Sequence, residues 1–188
     1  MKKILVVMGS PRRKGNSATL AQNVIAGAKS AGADVESYYL HWMDIKPCDA
    51  CEACRKSSSR ECIIDDDMQE LYPKLREADA LVIASPIYYF TVSAQTKLFM
   101  DRWYSLGEEK DTAINGKQIG IVLTYGDTDP FTSGTINAIR TFQDAFDYLG
   151  ANLVDIVYGK ASEAGEIKAN RELMEKAYKM GQRLAVEN

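Results

Sequence analysis

The chain has 188 residues and a formal net charge of −3, and its 46% hydrophobic and 26% charged residues are typical of a globular domain. The small negative charge gives no reason to expect nucleic acid as a partner, because that binding usually needs a basic face. The apolar run from Ile4 to Met8 is too short for a signal peptide, and no run is long enough to span a membrane. We therefore expect one soluble, cytoplasmic domain over residues 1–188, with no membrane partner.

Apolar segments that fit strands alternate along the chain with amphipathic segments that fit helices. The predicted strands are 3–8, 35–40, 80–84, 118–124 and 153–157. The predicted helices are 17–31, 65–78, 92–104, 133–149 and 167–186. Alternation of this kind predicts right-handed βαβ units, with helices on both faces of a parallel sheet. The expected fold is α/β, a doubly wound five-stranded parallel sheet, interrupted after strand 2 by a cysteine-rich insertion over residues 47–63.

The loop after the first predicted strand has the composition of a phosphate site. It runs from Gly9 to Ser17 and leads into a helix, whose first N–H groups lack partners and favour an anion. The loop matches neither the NTPase phosphate loop nor the dinucleotide fingerprint G-x-G-x-x-G, which favours a phosphate that is held rather than transferred. A polar loop that binds nothing is the alternative. The side chains expected to add donors are those of Ser10, Arg12, Asn16 and Ser17.

Two further loops leave the carboxyl ends of predicted strands and should converge with the first. One carries an aromatic run that is unusual on an exposed loop unless a planar group, such as an isoalloxazine ring, covers it. Aromatic residues that cap the core or form a dimer contact are the alternative. The other loop supplies a glycine and polar groups. The candidate residues are Pro86, Ile87, Tyr88, Tyr89 and Phe90 in one loop, and Thr124, Gly126 and Asp127 in the other.

These motifs together resemble a known family. Gly9-Ser-Pro-Arg12 with Gly15-Asn-Ser17, then Ser85-Pro-Ile-Tyr88, Lys97 and Asp101-Arg102, are similar to the flavodoxin-like NADPH-dependent FMN reductase group. The resemblance implies a flavodoxin-like fold that binds FMN, with its phosphate on the first loop and its ring against the other two. It also implies a homodimer or homotetramer, with NAD(P)H as an electron donor.

All four cysteines lie in one short segment, which in a cytosolic protein indicates a metal or redox site rather than a disulfide framework. Their spacing is Cys48-x2-Cys51-x2-Cys54-x7-Cys62. Three cysteines at x2 steps can wrap three corners of a cubane cluster, and the fourth could close it. Zinc, free thiols and redox-active thiols are the alternatives. The pattern is similar to the iron-sulfur flavoprotein branch of the same group, and this resemblance implies a 4Fe-4S cluster bound by all four cysteines.

The sequence therefore predicts a flavin-dependent oxidoreductase that couples FMN to a 4Fe-4S cluster and exchanges electrons with NAD(P)H or ferredoxin. No side chain is expected to be catalytic, because the cofactor performs the chemistry and the only histidine, His41, cannot complete a catalytic triad. Three alternatives stay open. They are an NAD(P)H-dependent reductase of FMN or quinone without a cluster, a non-catalytic flavodoxin-type electron carrier, and a zinc-stabilised binding module.

Overall fold

The protein is described here by a computed structural model that covers residues 1–56, 61–108 and 111–186. The strands are β1 (Lys3–Met8), β2 (Asp34–Tyr39), β3 (Ala80–Tyr88), β4 (Thr91–Val92), β5 (Gly107–Glu108), β6 (Asp111–Thr112), β7 (Gln118–Tyr125) and β8 (Asn152–Lys160). The helices are α1 (Asn16–Ser30), α2 (Ala53–Lys56), α3 (Met68–Glu77), α4 (Ala94–Asp101), α5 (Thr135–Leu149) and α6 (Arg171–Val186).

The main sheet has the strand order β2-β1-β3-β7-β8, and these five strands are parallel. The short strand β4 pairs with β3 in antiparallel orientation, and β5 and β6 form a separate hairpin. The order reverses beside β1, because β2 lies on one side of it and all later strands lie on the other. Ligand crevices in open α/β sheets form at this kind of switch point, beyond the carboxyl ends of the strands.

Successive side chains of β1 enter two hydrophobic cores. Leu5 and Val7 lie in the core beneath α3, α4 and α5, whereas Ile4, Val6 and Met8 lie in the core beneath α1 and α6. All five are at most 2% exposed. Since strand side chains alternate between the two faces of a sheet, an unbroken apolar run is what a strand covered on both sides requires.

The predicted doubly wound, five-stranded parallel sheet is confirmed. The short strands β4, β5 and β6 were not predicted, and the other differences concern element ends. The third strand was expected to end at Ala84 but continues to Tyr88, and the fifth was expected over 153–157 but reaches Lys160. The predicted third helix changes at Arg102 into a 3-10 turn that ends at Leu106. The predicted insertion over 47–63 contains the single turn α2, and its residues 57–60 lie outside the described ranges.

None of the helices in the described ranges is long and apolar enough to cross a membrane.

Candidate functional site

The carboxyl ends of β1, β3, β7 and β8 border a cleft of about 340 Å³. Sheet register explains the convergence, since Met8 pairs with Ala84, Pro86 with Thr124, and Thr124 with Gly159. The cleft collects these predicted residues: Ser10, Arg12, Asn16, Ser17, Pro86, Ile87, Tyr88, Thr124 and Gly126. The other three candidates, Tyr89, Phe90 and Asp127, are not among its lining residues.

The cleft also has lining residues outside the candidate list. Gly15 and Tyr125 belong to the predicted loops, whereas sequence reasoning missed Ala161, Ser162 and Ala164. The last three follow β8, which runs to Lys160 and so delivers its next residues to the same edge of the sheet. The predicted topology could have identified these three residues, because the carboxyl ends of all parallel strands in such a sheet lie at this edge. The Ser162 hydroxyl donates a 3.1 Å hydrogen bond to the Gly126 carbonyl oxygen, which ties this fourth loop to the loop after β7.

The loop after β1 folds tightly against the start of α1. The Gly15 N–H donates to the Arg12 carbonyl oxygen at 2.9 Å, and the Arg12 N–H donates to Ser10 Oγ at 3.1 Å. A Cβ atom at Gly15 would lie 2.9 Å from Ser10 Oγ and 3.0 Å from the Arg12 carbonyl oxygen, so any larger residue would displace these neighbours. The first turn of α1 contains no acidic residue, so the helix itself places no carboxylate beside its first N–H groups. These unpartnered N–H groups and the helix dipole form a suitable cradle for a phosphate.

Asn16 holds the start of α1 in place through its side chain. Its Nδ2 donates to the carbonyl oxygens of Ala161 at 3.2 Å and Glu163 at 2.9 Å. Its Oδ1 accepts from the N–H groups of Gly165 at 2.9 Å and Ile167 at 3.3 Å. These four bonds use the full capacity of a side-chain amide. Asn16 therefore has its backbone N–H, rather than its side chain, to offer to a ligand in the cleft.

A buried hydroxyl network joins the first two loops. Ser85 Oγ donates to the Pro86 carbonyl oxygen at 2.8 Å and accepts from the Ser93 N–H at 3.0 Å. Ser93 Oγ, in turn, donates to the Gly9 carbonyl oxygen at 2.9 Å. Ser85 and Ser93 are both fully buried. The second loop is therefore held by side chains beneath the cleft, and its surface residues are left to contact a ligand.

The aromatic run forms a tight turn with an unfavourable backbone. Tyr88 pairs with Thr91, so Tyr89 and Phe90 are the two central residues of a β-hairpin, with φ of 44° and 67°. Positive φ at both positions defines a type I′ turn, which normally selects asparagine and glycine. Left-handed backbone at a residue with a side chain costs about 1–2 kcal/mol. Tyr89 is 96% exposed, so packing of this ring does not offset the cost.

The start of α5 supports this turn from below. Asn137 Nδ2 donates to the Phe90 carbonyl oxygen at 3.2 Å. A Cβ atom at Gly134 would lie 2.5 Å from the Phe90 carbonyl oxygen, so only glycine permits this approach, and Gly134 has a φ of 76°. Strain that is maintained by surrounding structure is characteristic of ligand-binding segments. The turn therefore marks this edge of the cleft as a candidate contact for a ligand.

At the carboxyl end of β7, Thr124 is buried, and Gly126 in the loop that follows is exposed. Asp127 is exposed, and its carboxylate accepts a 2.6 Å hydrogen bond from the Thr128 N–H. Burial raises the pKa of Tyr125, and the negative charges possible at Tyr158 and Asp129 raise it further. Tyr125 is therefore a neutral donor at physiological pH, and no acid–base pair is formed in this part of the cleft.

The four cysteines are free thiols that lie on one loop with different environments. Cys48 and Cys51 are exposed, Cys54 is buried, and Cys62 is partly buried. Within residues 1–56, 61–108 and 111–186, no three Cys, His, Asp or Glu side chains are grouped closely enough to hold a metal ion. Cys48 lines a separate pocket of about 390 Å³ with Asp101 and Tyr104. The structure therefore does not bring the predicted ligands together.

The thiols nevertheless influence one another. Burial raises the pKa of the Cys54 thiol, and negative charge at Cys62 and Cys51 raises it further, against an opposing effect of Arg55. Burial alone would raise the pKa of Cys62, but hydrogen bonds from the Ile64 N–H, Arg102 and Tyr72 lower it overall. Of Cys54 and Cys62, Cys62 is therefore the residue whose surroundings favour the negatively charged thiolate.

The backbone around Cys51 has alternating handedness. Ala50 and Glu52, on either side of it, have positive φ angles of 51° and 58°, and Cys51 does not. Successive residues of opposite handedness turn backbone N–H groups toward one point, a concave arrangement found at phosphate and iron–sulfur sites. Non-glycine residues rarely adopt this conformation. The loop therefore has a backbone suited to an anion or a metal–sulfur cluster.

Comparison with known proteins identifies the family. The family model for NADPH-dependent FMN reductase matches residues 2–164. The chain is 33% identical over 168 residues to an iron-sulfur flavoprotein of Methanosarcina thermophila, covering 89% of this chain and 83% of that protein. It is also 33% identical to an iron-sulfur flavoprotein of Archaeoglobus fulgidus over 123 residues, which are 65% of this chain but only 54% of that protein.

A quinone reductase and two solved structures extend the similarity. An FMN-dependent NADH:quinone oxidoreductase of Vibrio parahaemolyticus is 26% identical over 145 residues, covering 73% of this chain and 74% of that one. An NAD(P)H:quinone oxidoreductase from Methanothermobacter marburgensis has a TM-score of 0.74 at 19% identity, covering 100% and 98% of the two chains. An archaeal flavodoxin has a TM-score of 0.61 at 17% identity, covering 97% and 96%.

The two structural matches show that the fold is flavodoxin-like, and the family match covers every element that forms the cleft. This chain is a flavin-dependent oxidoreductase, and it belongs to the NADPH-dependent FMN reductase family, in the group that includes the iron-sulfur flavoproteins.

Proposed function

We propose that the cleft binds FMN and that the cysteine loop binds a 4Fe-4S cluster, so that the protein passes electrons between the two. The observation that carries this proposal is the pairing of a glycine-shaped helix start, which suits a monophosphate, with four thiols on one loop of the same chain. The names of the iron-sulfur flavoproteins with which it shares 33% identity support the same conclusion.

The residues of the cleft fit FMN. Ser10, Ser17 and the first N–H groups of α1 would hold the phosphate, and the exposed Arg12 would add charge. The flavin ring would lie against the segment from Pro86 to Phe90 and the segment from Thr124 to Asp127, where backbone and aromatic edges suit a planar group. When bound, FMN supplies an acceptor of a hydride or of single electrons. The protein binds and orients it, and no titrating side chain is needed.

The chemistry of the donor set fits an iron–sulfur cluster. Cys48, Cys51, Cys54 and Cys62 would bind it, and thiolates are the ligands that such clusters prefer. The left-handed residues around Cys51 and the cations Arg55 and Arg102 would stabilise its negative charge. When bound, the cluster supplies one-electron transfer, which complements the ability of a flavin to take up electrons in pairs. Cys48 and Cys51 are exposed, so binding of the cluster by all four thiols would require these two to lie closer to Cys54 and Cys62.

We further propose that NAD(P)H or ferredoxin supplies or removes the electrons, and that the single domain works as a homodimer or homotetramer. The cleft is open to solvent along the hairpin of Tyr89 and Phe90, which are 96% and 58% exposed. A nicotinamide could therefore stack on the flavin without a pocket of its own. The family match supports NAD(P)H as the donor.

An anaerobic absorption spectrum with flavin, iron and sulfide analysis tests the proposal. We expect stoichiometric FMN together with four iron atoms and four sulfides, the content of the proposed cluster. The variant Cys51→Ser should lose the iron and keep the flavin, whereas Ser37→Ala, on an exposed position of β2, should keep both. Protein that takes up no FMN contradicts the flavin site, and a Cys51→Ser variant with full iron content contradicts the ligand assignment.

A reductase without a cluster is the second candidate, and one observation favours it: the described residues place no three metal-ligand side chains together. This function predicts rapid bleaching of the flavin by NADPH in protein that contains FMN but no iron. Iron bound in stoichiometric amounts would exclude it.

A further inference from the structure

We propose that Arg102 is a positioning residue for the iron–sulfur cluster, because it joins the two ends of the cysteine loop and donates a hydrogen bond to the sulfur of Cys62. This inference rests on the function proposed above. Arg102 lies at the end of α4, and no part of the flavin cleft uses it. Its side chain is nevertheless buried and donates hydrogen bonds to Lys46, Asp66 and Cys62.

The guanidinium of Arg102 is buried with one carboxylate. The side chains of Arg102 and Asp66 are 1% and 0% exposed, and they form a two-pronged ion pair. Nη1 donates to Asp66 Oδ2, and Nη2 donates to Asp66 Oδ1 at 3.2 Å. Removing two charges from water costs several kcal/mol per ion, and apolar residues of the same size often stabilise a fold equally well. The two-pronged contact therefore holds the Arg102 guanidinium in a fixed orientation beside the cysteine loop.

The pair clamps the base of the cysteine loop. Arg102 Nη1 donates to the Lys46 carbonyl oxygen at 2.8 Å, and Asp66 Oδ2 accepts from the Lys46 N–H at 2.9 Å. Beside it, the N–H of Asp44 donates to Asp67 Oδ2 at 2.7 Å. The chain entering the loop and the chain leaving it are thus fixed to one another by groups that are not metal ligands. The span between them contains all four cysteines.

Arg102 also reaches one of the proposed ligands. Its Nη2 lies 3.3 Å from Cys62 Sγ and donates a hydrogen bond to it. Its Nε is buried and has no hydrogen-bond partner among the described residues. The guanidinium therefore has one buried donor that no described residue uses.

The consequence for the cluster follows from charge. Hydrogen bonds to the sulfurs and the net charge nearby are among the factors that set the reduction potential of a cluster. The hydrogen bond from Arg102 to Cys62 Sγ stabilises the reduced form, which carries one more negative charge, and Arg102 also balances the nearby charge of Asp66. Arg102 should therefore raise the midpoint potential of the cluster and favour electron transfer to it.

Two variants of Arg102 and one matched control test the inference. Arg102→Lys keeps the charge but replaces the two-nitrogen fork that makes these four bonds by a single nitrogen with three donors, and Arg102→Met removes the charge. Arg140→Lys is the control, because Arg140 also pairs with an aspartate, Asp144, but on the exposed face of α5. In an anaerobic redox titration of the holoprotein, we expect the ratio of reduced to oxidised cluster at a given potential to fall about tenfold in Arg102→Met, or about 59 mV for one electron.

We expect a smaller shift in Arg102→Lys and none in Arg140→Lys. Arg102 variants that retain iron and keep the wild-type potential would overturn the role at Cys62. Hydrogen exchange of the purified full-length protein tests the clamp independently, with faster exchange of the Lys46 and Asp67 amides expected in Arg102→Met. Unchanged exchange would overturn the clamp. Wild-type protein without iron would instead overturn the proposed cluster, and the exchange result would still decide whether Arg102 joins the two ends of the loop.

Discussion

The hydroxyl of Ser93 donates a 2.9 Å hydrogen bond to the carbonyl oxygen of Gly9, and this bond connects two loops that are far apart in sequence. Ser93 is also the N-cap of α4, where its Oγ accepts from the Thr96 N–H at 3.3 Å. One buried side chain therefore begins a helix and fixes the loop after β1. The spacing between the proposed phosphate contacts after β1 and the proposed ring contacts from Pro86 to Phe90 therefore depends on this side chain.

Replacement of Ser93 by alanine should weaken both the fold and flavin binding. The variant loses a helix cap and leaves the buried Gly9 carbonyl oxygen without this donor, so we expect the free energy of unfolding to fall by about 1–3 kcal/mol. Urea denaturation of the flavin-free protein measures this change. Ser30→Ala is the control, because the Ser30 hydroxyl bonds only within the last turn of α1, to the Gly27 carbonyl oxygen. Equal stability of the two variants would show that the bond between loops contributes nothing.

Gly15→Ala should affect FMN binding more than folding. The new Cβ would lie 2.9 Å from Ser10 Oγ and 3.0 Å from the Arg12 carbonyl oxygen, so the loop must open to accommodate it. Displacement of the proposed phosphate donors should weaken FMN binding at least tenfold, or about 1.4 kcal/mol, measured by the quenching of flavin fluorescence.

Gly32→Ala provides the contrast for that experiment. Gly32 follows α1 with a φ of 86°, and a Cβ there would meet nothing within 4 Å. This variant should lose about 1–2 kcal/mol of stability through backbone strain while FMN affinity stays unchanged. Similar FMN affinities for the two glycine variants would contradict the proposed phosphate site.

Sequence alone predicted the parts of this protein that depend on local pattern. The strand Lys3–Met8 was predicted to the residue, because its apolar run is bounded by a lysine and a glycine. The extension of β3 to Tyr88 was missed, since Pro86 and the aromatic run are typical of a loop. It forms because Ser85 and Pro86 pair with β7, and Ile87 and Tyr88 pair with β4. Such contacts join distant positions and leave no periodic signal in the sequence.

The same difference between local pattern and distant contacts explains which residues of the candidate site the sequence could predict. The proposed phosphate loop could be recognised in the sequence because its candidate donors lie within eight consecutive residues, from Ser10 to Ser17. The sequence did not indicate that Ser162 lines the cleft, because its position depends on where β8 ends. The contact between Arg102 and Cys62 joins residues that are 40 positions apart, and only the packing of α4 against the cysteine loop creates it.

Asp66→Asn should change how stability depends on pH. Burial alone would raise the pKa of Asp66, but hydrogen bonds from Arg102 and from the N–H groups of Lys46 and Met68 lower it. In the unfolded chain this carboxyl has a pKa of about 3.9. As the pH falls, the unfolded state therefore takes up the proton first. The stability that this carboxylate provides is complete above pH 3.9 and is lost as the pH falls through the lower folded-state value.

The variant should be about 3–5 kcal/mol less stable than the wild type at pH 7, because it leaves a buried guanidinium without its counter-charge. The difference between the two proteins should shrink at pH 2–3, where the wild-type carboxylate is lost as well. Urea unfolding across this pH range is the measurement. Asp144→Asn removes an exposed partner of Arg140 and should change stability by less than about 1 kcal/mol at any pH. A wild-type advantage that is the same at both ends of the range would contradict the pKa direction.

Relief of the backbone strain in the hairpin turn should raise the stability of the protein and weaken FMN binding. Replacement of Tyr89 and Phe90 by Asn and Gly supplies the residues that a type I′ turn prefers, so the flavin-free protein should gain about 1–2 kcal/mol of stability. If the turn contacts the flavin ring, as proposed, the same variant should bind FMN more weakly. Phe131→Asn is the control for loss of an exposed aromatic ring, because Phe131 is 77% exposed and is not at positive φ. Increased stability with unchanged FMN affinity would mean that the strain at this turn serves something other than flavin binding.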